Sequence, residues 1–69
     1  MTQTFRMNGR ILPLAADTVE ALLRREGIDP ACRFLAVAVN GSVVLRRNWA
    51  TTGLSADDDV EIVRPVSGG

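Results

Sequence analysis

Residues 34–45 read Phe34-Leu35-Ala36-Val37-Ala38-Val39-Asn40-Gly41-Ser42-Val43-Val44-Leu45. The first six are apolar at every position, which predicts a central strand covered on both faces. Asn40-Gly41 is the strongest short hairpin signal, because both central residues of a type I′ turn need positive φ. Val43-Val44-Leu45 reads as the return strand. The two faces of the first strand differ in size. Leu35, Val37 and Val39 form one, suited to a core beneath a helix. Phe34, Ala36 and Ala38 form the other, which is flatter and suits close approach by another surface.

Working towards the N-terminus, the period changes to that of a helix. Val19, Leu22 and Leu23 make one apolar stripe at helical spacing. Asp17 is placed to cap this helix, with Glu20 three residues on as in a capping box, and Thr18 is a competing cap. Arg24 and Arg25 fall where cations suit the helix dipole. Gly27 fits a left-handed cap and Pro30 forbids continuation. Further back, Thr4-Phe5-Arg6-Met7 alternates as a strand does, Asn8-Gly9 repeats the hairpin signal, and Ile11-Leu12-Pro13-Leu14 returns. Pro13 has no N–H, so this strand belongs at a sheet edge.

Working towards the C-terminus, Trp49 lies in a segment without clear period. Leu54-Ser55-Ala56-Asp57-Asp58-Asp59 reads as a turn, and Val60-Glu61-Ile62-Val63 as the last strand. The order is strand, strand, helix, strand, strand, strand. One helix allows one crossover, so a doubly wound sheet is excluded. The economical solution is an α+β arrangement, the β-grasp: one mixed sheet with one helix packed on one face. Residues 1–64 form this domain, and 65–69 a flexible C-terminal Gly-Gly tail.

Composition narrows the chemistry. The chain has 69 residues, no net charge and 46% hydrophobic residues, enough for one domain with a small core. It has no His, so it has no imidazole base, no His–Asp triad and no His metal ligand. All 8 basic residues are Arg, so no Lys is present to form a Schiff base. Cys32 is the only cysteine, which fits a reducing compartment and argues against structural zinc. Without net positive charge, nucleic acid is not an expected partner. No apolar run is long enough to span a bilayer and no signal-peptide pattern opens the chain. The expectation is a cytoplasmic protein, a monomer when free, and not a stand-alone enzyme.

The remaining candidate is the end of the chain, Pro65-Val66-Ser67-Gly68-Gly69. On the glycines alone, a frayed end reads as well as a functional one. The functional reading has a physical reason. A carboxylate is a poor electrophile and must be activated, for instance as an acyl-adenylate. Side chains next to it would obstruct a narrow channel, and glycines leave it open. From Pro65 to Gly69 the chain reaches about 13–17 Å when extended. Pro65 restricts its freedom where it leaves the sheet.

These residues resemble a known family, the ThiS sulfur carriers of thiamine thiazole biosynthesis, which are ubiquitin-like. The matching elements are Asn8-Gly9, Thr18-Val19 with Leu22-Leu23, Val37-Ala38-Val39-Asn40, Val43-Val44, Arg46, Trp49 and Leu54. Asp58, Val60-Glu61-Ile62-Val63 and Pro65-Val66-Ser67-Gly68-Gly69 complete them. Two positions depart from the family's pattern: Leu45 stands where Pro is usual, and Asp57 stands where Gly is usual. The resemblance implies that Gly69 is adenylated and then converted to a thiocarboxylate, with Gly68, Ser67, Val66 and Pro65 threading into the partner. It implies three partners: a ubiquitin-activating-like adenylyltransferase, a cysteine desulfurase as sulfur source, and a thiazole synthase. ATP and Mg²⁺ belong to the activating partner, and this chain binds no cofactor. The small subunit of molybdopterin synthase, or another ubiquitin-like sulfur carrier, is the alternative within the class. From other classes come a β-grasp binding module without thiocarboxylate chemistry and a protein-tagging modifier.

Candidate docking residues are Phe34, Ala36, Ala38, Trp49 and Arg64. A connecting segment covering the Phe34/Ala36/Ala38 face is the competing reading. Docking is favoured, because one helix cannot cover both sheet faces. Trp49 reads equally as an interface anchor or as a core plug. Arg46, Arg47 and Arg64 read as contacts to an acidic surface or, more simply, as solvated charges. Asp57, Asp58 and Asp59 form a solvated turn rather than a metal site. Cys32 reads as a small buried apolar residue.

Overall fold

Two Asn-Gly turns set the framework. Asn8 and Gly9 have φ of 51° and 83°, and Asn40 and Gly41 have 52° and 84°. These are the paired left-handed conformations that fold adjoining strands into tight hairpins. A computed structural model of the chain describes residues 3–64. The first turn joins β1 (Thr4–Met7) to β2 (Arg10–Pro13). The second joins β3 (Ala36–Val39) to β4 (Ser42–Val44). A last strand, β5 (Asp59–Val63), lies between the hairpins, giving the order β2-β1-β5-β3-β4. β5 runs parallel to β1 (Arg6↔Asp59, Met7↔Val60) and antiparallel to β3 (Ala36↔Val63 to Val39↔Val60). Pro13 lies on an edge strand, as its missing N–H requires.

The helix α1 (Val19–Arg25), the one α-helix among the described residues, crosses one face. Its cap is Thr18, not Asp17. Thr18 is extended and its side chain accepts from the Ala21 N–H, while the Asp17 carbonyl accepts from the Leu54 N–H at 2.9 Å. Glu20 makes no capping box. It pairs with Arg24 one turn on, at 3.1 Å. The other first-turn donors are met by the segment without period: Val19 N–H reaches the Thr52 carbonyl (3.1 Å) and Glu20 N–H the Trp49 carbonyl (3.0 Å). At the far end Gly27 has φ of 76°. The Gly27 N–H bonds the Arg24 carbonyl and the Ile28 N–H bonds the Leu23 carbonyl, a Schellman closure.

The core lies between helix and sheet. It contains Phe5, Val19, Leu22, Leu23, Leu35, Val37, Trp49, Val60 and Ile62. Truncating one such side chain to Ala typically costs about 2–5 kcal/mol. The stretch 34–39 differs from the sequence expectation in three ways. The strand starts at Ala36, the central strand is β5, and among the described residues only one face is covered. Val37 is buried while Ala36 is exposed. A seven-residue helix covers one face only. Small alanines on the other face made the alternation look like a continuous apolar run.

The two departures from the family pattern sit in fitting backbone. Asp57 has φ of 68°, a conformation that suits Gly and that Asp tolerates. Leu45 has φ of −65° and ψ of 144°, the angles of a proline.

Candidate functional site: the open sheet face and the exit of β5

Strand alternation places Phe5, Val37, Val39, Val60 and Ile62 against the helix and turns their neighbours outwards. The pairings arrange those neighbours in rows. Val43, Ala38 and Glu61 lie side by side, as do Ala36 and Val63, and as do Ile11, Arg6 and Asp59. Val43 is 74% exposed and Val63 63% exposed, and Ala36 is exposed between them. The result is a shallow apolar strip with alanines at its middle and charges along one side. An apolar strip left in water marks an interaction surface.

Phe34 is 79% exposed beside this strip. It lies before β3 rather than in it, with φ of 64°. Left-handed backbone costs a bulky residue about 1–2 kcal/mol. The Arg33 guanidinium stands 5.6 Å from the centre of its ring. Its neighbour Leu35 is buried in the core.

The exit of β5 is fixed from the side. β1 pairs with β5 only as far as Met7↔Val60. Beyond that point the Asn8 side chain takes over. Its Oδ1 accepts from the Ile62 N–H at 2.8 Å and its Nδ2 donates to the Ile62 carbonyl at 3.2 Å. One carboxamide thus satisfies both backbone groups of Ile62 and carries the ladder two residues further. Arg64, exposed, is the last residue described. Pro65, Val66, Ser67, Gly68 and Gly69 lie outside the described residues, so the threading and thiocarboxylate expectations fall there.

Of the other candidates, Ala36 and Ala38 share the outward face of β3, whereas Phe34, which the sequence places on that face, is exposed in the loop before the strand. Trp49 does not join them. It is 3% exposed, and its indole N–H donates to the Val44 carbonyl at 2.9 Å, so the core-plug reading describes it. Arg46 is exposed yet bonded within the chain. It donates to the Pro30 carbonyl and, at 2.7 Å, to the Cys32 carbonyl, and its guanidinium lies 4.6 Å from the centre of the Trp49 ring. The Arg-x-x-Trp spacing held this signal, since a 3-10 turn over Arg46–Asn48 brings positions three apart onto one side. Cys32 is half-buried against the core. Asp58 latches its turn by accepting from the Ser55 N–H (2.8 Å) and from Asn40 (3.0 Å). Among the described residues no group of three His, Cys, Asp or Glu is placed to hold a metal. Among them, too, no helix is long and apolar enough to cross a membrane.

A five-stranded mixed sheet with two hairpins flanking a central strand, and one helix across one face, defines a ubiquitin-like β-grasp domain. Comparison with known proteins narrows the class. The chain matches the ThiS family over residues 2–69 and belongs to it. A solved structure of a thiamine biosynthesis protein (ThiS) from Geobacter metallireducens is similar at 26% identity, with a TM-score of 0.74. The match covers 96% of this chain and 99% of that one. No curated protein matches the chain. Membership of the family supports a sulfur-carrier role in thiamine biosynthesis and a small carrier rather than an enzyme.

Proposed function

We propose that sulfur for the thiazole of thiamine travels on the C-terminal carboxylate of Gly69. A ubiquitin-activating-like enzyme takes residues 65–69 into its active site and joins the carboxylate to the α-phosphate of ATP, with Mg²⁺ held by that enzyme. Pyrophosphate leaves. The outer sulfur of a cysteine desulfurase persulfide then attacks the carbonyl carbon and displaces AMP, which departs with one carboxylate oxygen; a thiol reductant cleaves the resulting acyl disulfide, is itself oxidised to a disulfide, and Gly69 is left as a thiocarboxylate. Thiazole synthase consumes the sulfur and the carrier is recycled. The chain is a cytoplasmic co-substrate and contributes no catalytic side chain. The open strip of Phe34, Ala36, Ala38 and Val63 docks on the partner, and Arg64 begins the segment that enters it.

One observation carries this reading. The family match runs through Gly69, and the described fold brings β5 to Arg64 at the border of an open apolar face. Glycines at 68 and 69 leave the carboxylate free of neighbouring side chains, as a narrow channel requires. The test is intact-mass analysis of the protein from cells starved of thiamine, with fragmentation to place any sulfur-for-oxygen exchange. Exchange on Gly69 is the expected result. Its absence with the activating enzyme and desulfurase present sinks the reading.

A further inference from the structure

Among the described residues four non-glycines hold positive φ: Asn8, Asn40, Asp57 and Phe34. Asn and Asp visit this region readily, because their short polar side chains bond locally. Phe34 has no such excuse, and for a bulky residue the conformation is an outlier. Strain of this kind persists only where the surroundings impose it, and it gathers at binding sites. Here the surroundings are plain. The Cys32 N–H bonds the Asp29 carbonyl, Arg46 holds the carbonyls of Pro30 and Cys32, and Leu35 is anchored in the core. The loop is therefore fixed at both ends, and Phe34 takes the angle that remains.

The free domain gains little from this arrangement. The ring is 79% exposed, so the strain is not offset by burial. Its place in the sheet supplies the use. Two residues later Ala36 pairs with Val63, next to Arg64, so Phe34 stands at the sheet end from which residues 65–69 continue. Those five residues reach at most about 17 Å. Any enzyme that acts on the Gly69 carboxylate must therefore lie against this end of the sheet. Arg33 and Arg64 border the ring's end of the strip, and neither forms an ion pair among the described residues.

We infer that Phe34 is the aromatic anchor by which the enzyme that receives the C-terminal segment grips this carrier. The ring enters an apolar pocket of that enzyme, and a carboxylate at the pocket's rim faces Arg33. Aromatic residues are enriched at the centres of such interfaces, and a few of them carry most of the affinity. The backbone strain is the cost of holding the ring outwards before the partner arrives, so that little ordering remains at binding. This inference rests on the reading above, in which Gly69 is handed to an adenylating enzyme.

The experiment pairs the purified carrier with its adenylating enzyme. ATP–pyrophosphate exchange is followed against carrier concentration, alongside thermal melts of the carrier alone. Phe34→Gly is expected to melt higher than the parent by a few degrees, because the strain is relieved. It is also expected to raise the KM for the carrier by roughly tenfold or more, the size of one hot-spot contact. Phe34→Ala keeps a Cβ at positive φ, so it is expected to raise KM alike without the gain in melting temperature. The loss falls on KM rather than kcat, as for an interaction made equally in ground and transition states. Normal exchange by the parent, with the KM of Phe34→Ala within about twofold, overturns the anchor. A melting temperature of Phe34→Gly at or below the parent's overturns the strain. No exchange by the parent overturns the functional reading, and this inference with it.

Discussion

Asn8-Gly9 and Asn40-Gly41 turn through nearly the same backbone angles, yet their side chains hold the central strand differently. Asn8 grips Ile62 with its carboxamide alone, bonding both the N–H and the carbonyl. Asn40 grips Asp59 with one backbone and one side-chain bond: its N–H reaches the Asp59 carbonyl (2.7 Å) and its Oδ1 accepts from the Asp59 N–H (2.9 Å). Its remaining Nδ2 goes to Asp58. The cause is the length of the neighbouring strand. β1 pairs with β5 at two positions and then runs out, so the Asn8 side chain substitutes for missing backbone. β3 pairs with β5 at four positions, so Asn40 is free to latch the preceding turn instead. The dipeptide sets the hairpin, and the strand next door sets what the asparagine is for.

The comparison is broken altogether by removing the strand both hairpins hold. Ile62→Asp puts an unpaired carboxylate in the core and is expected to cost more than about 3 kcal/mol. In a domain this small that should abolish the cooperative thermal transition, and a parental melting temperature would refute it. Asn8→Gly keeps the turn and deletes only the grip on Ile62. Leaving two half-buried backbone groups unmet should cost about 2 kcal/mol. Urea unfolding measures this, and faster hydrogen exchange of the Ile62 amide locates it. Asn40→Gly removes exposed bonds that water can replace, so about 1 kcal/mol is expected from the same titration. A larger loss there than at Asn8 would reverse the ranking of the two hairpins. Leu45→Pro sharpens the contrast from the other side. It suits the backbone after β4 and should add about 0.5 kcal/mol, chiefly by restricting the unfolded chain.

Local chemistry was readable in advance. The hairpins, the helical stripe of Val19, Leu22 and Leu23, the Gly27 closure and the edge position of Pro13 each depend on neighbours in sequence. The outward placement of Ala36 and Ala38 was readable too, because alternation survives even when both faces are apolar. What escaped depends on topology. The Asn8–Ile62 pair joins residues whose meeting requires β1 and β5 to be adjacent, and no local pattern says so. The Arg46 clamp on Pro30 and Cys32 is likewise a tertiary bond from side chain to backbone. Choosing between Asp17 and Thr18 as helix cap turned on which carbonyl the Leu54 N–H would claim. The angle at Phe34 arises from two anchors outside it, so its own identity argued for the opposite.

The strand at the middle of the sheet is also the last one made. A growing chain emerges with its hairpins and helix before β5, and until Asp59–Val63 follows there is nothing to join them into one sheet. Folding therefore acts as a proofreader of length. A chain terminated ahead of residue 59 lacks both the C-terminal segment and the strand that completes the sheet. A chain that has folded has been translated to within six residues of Gly69.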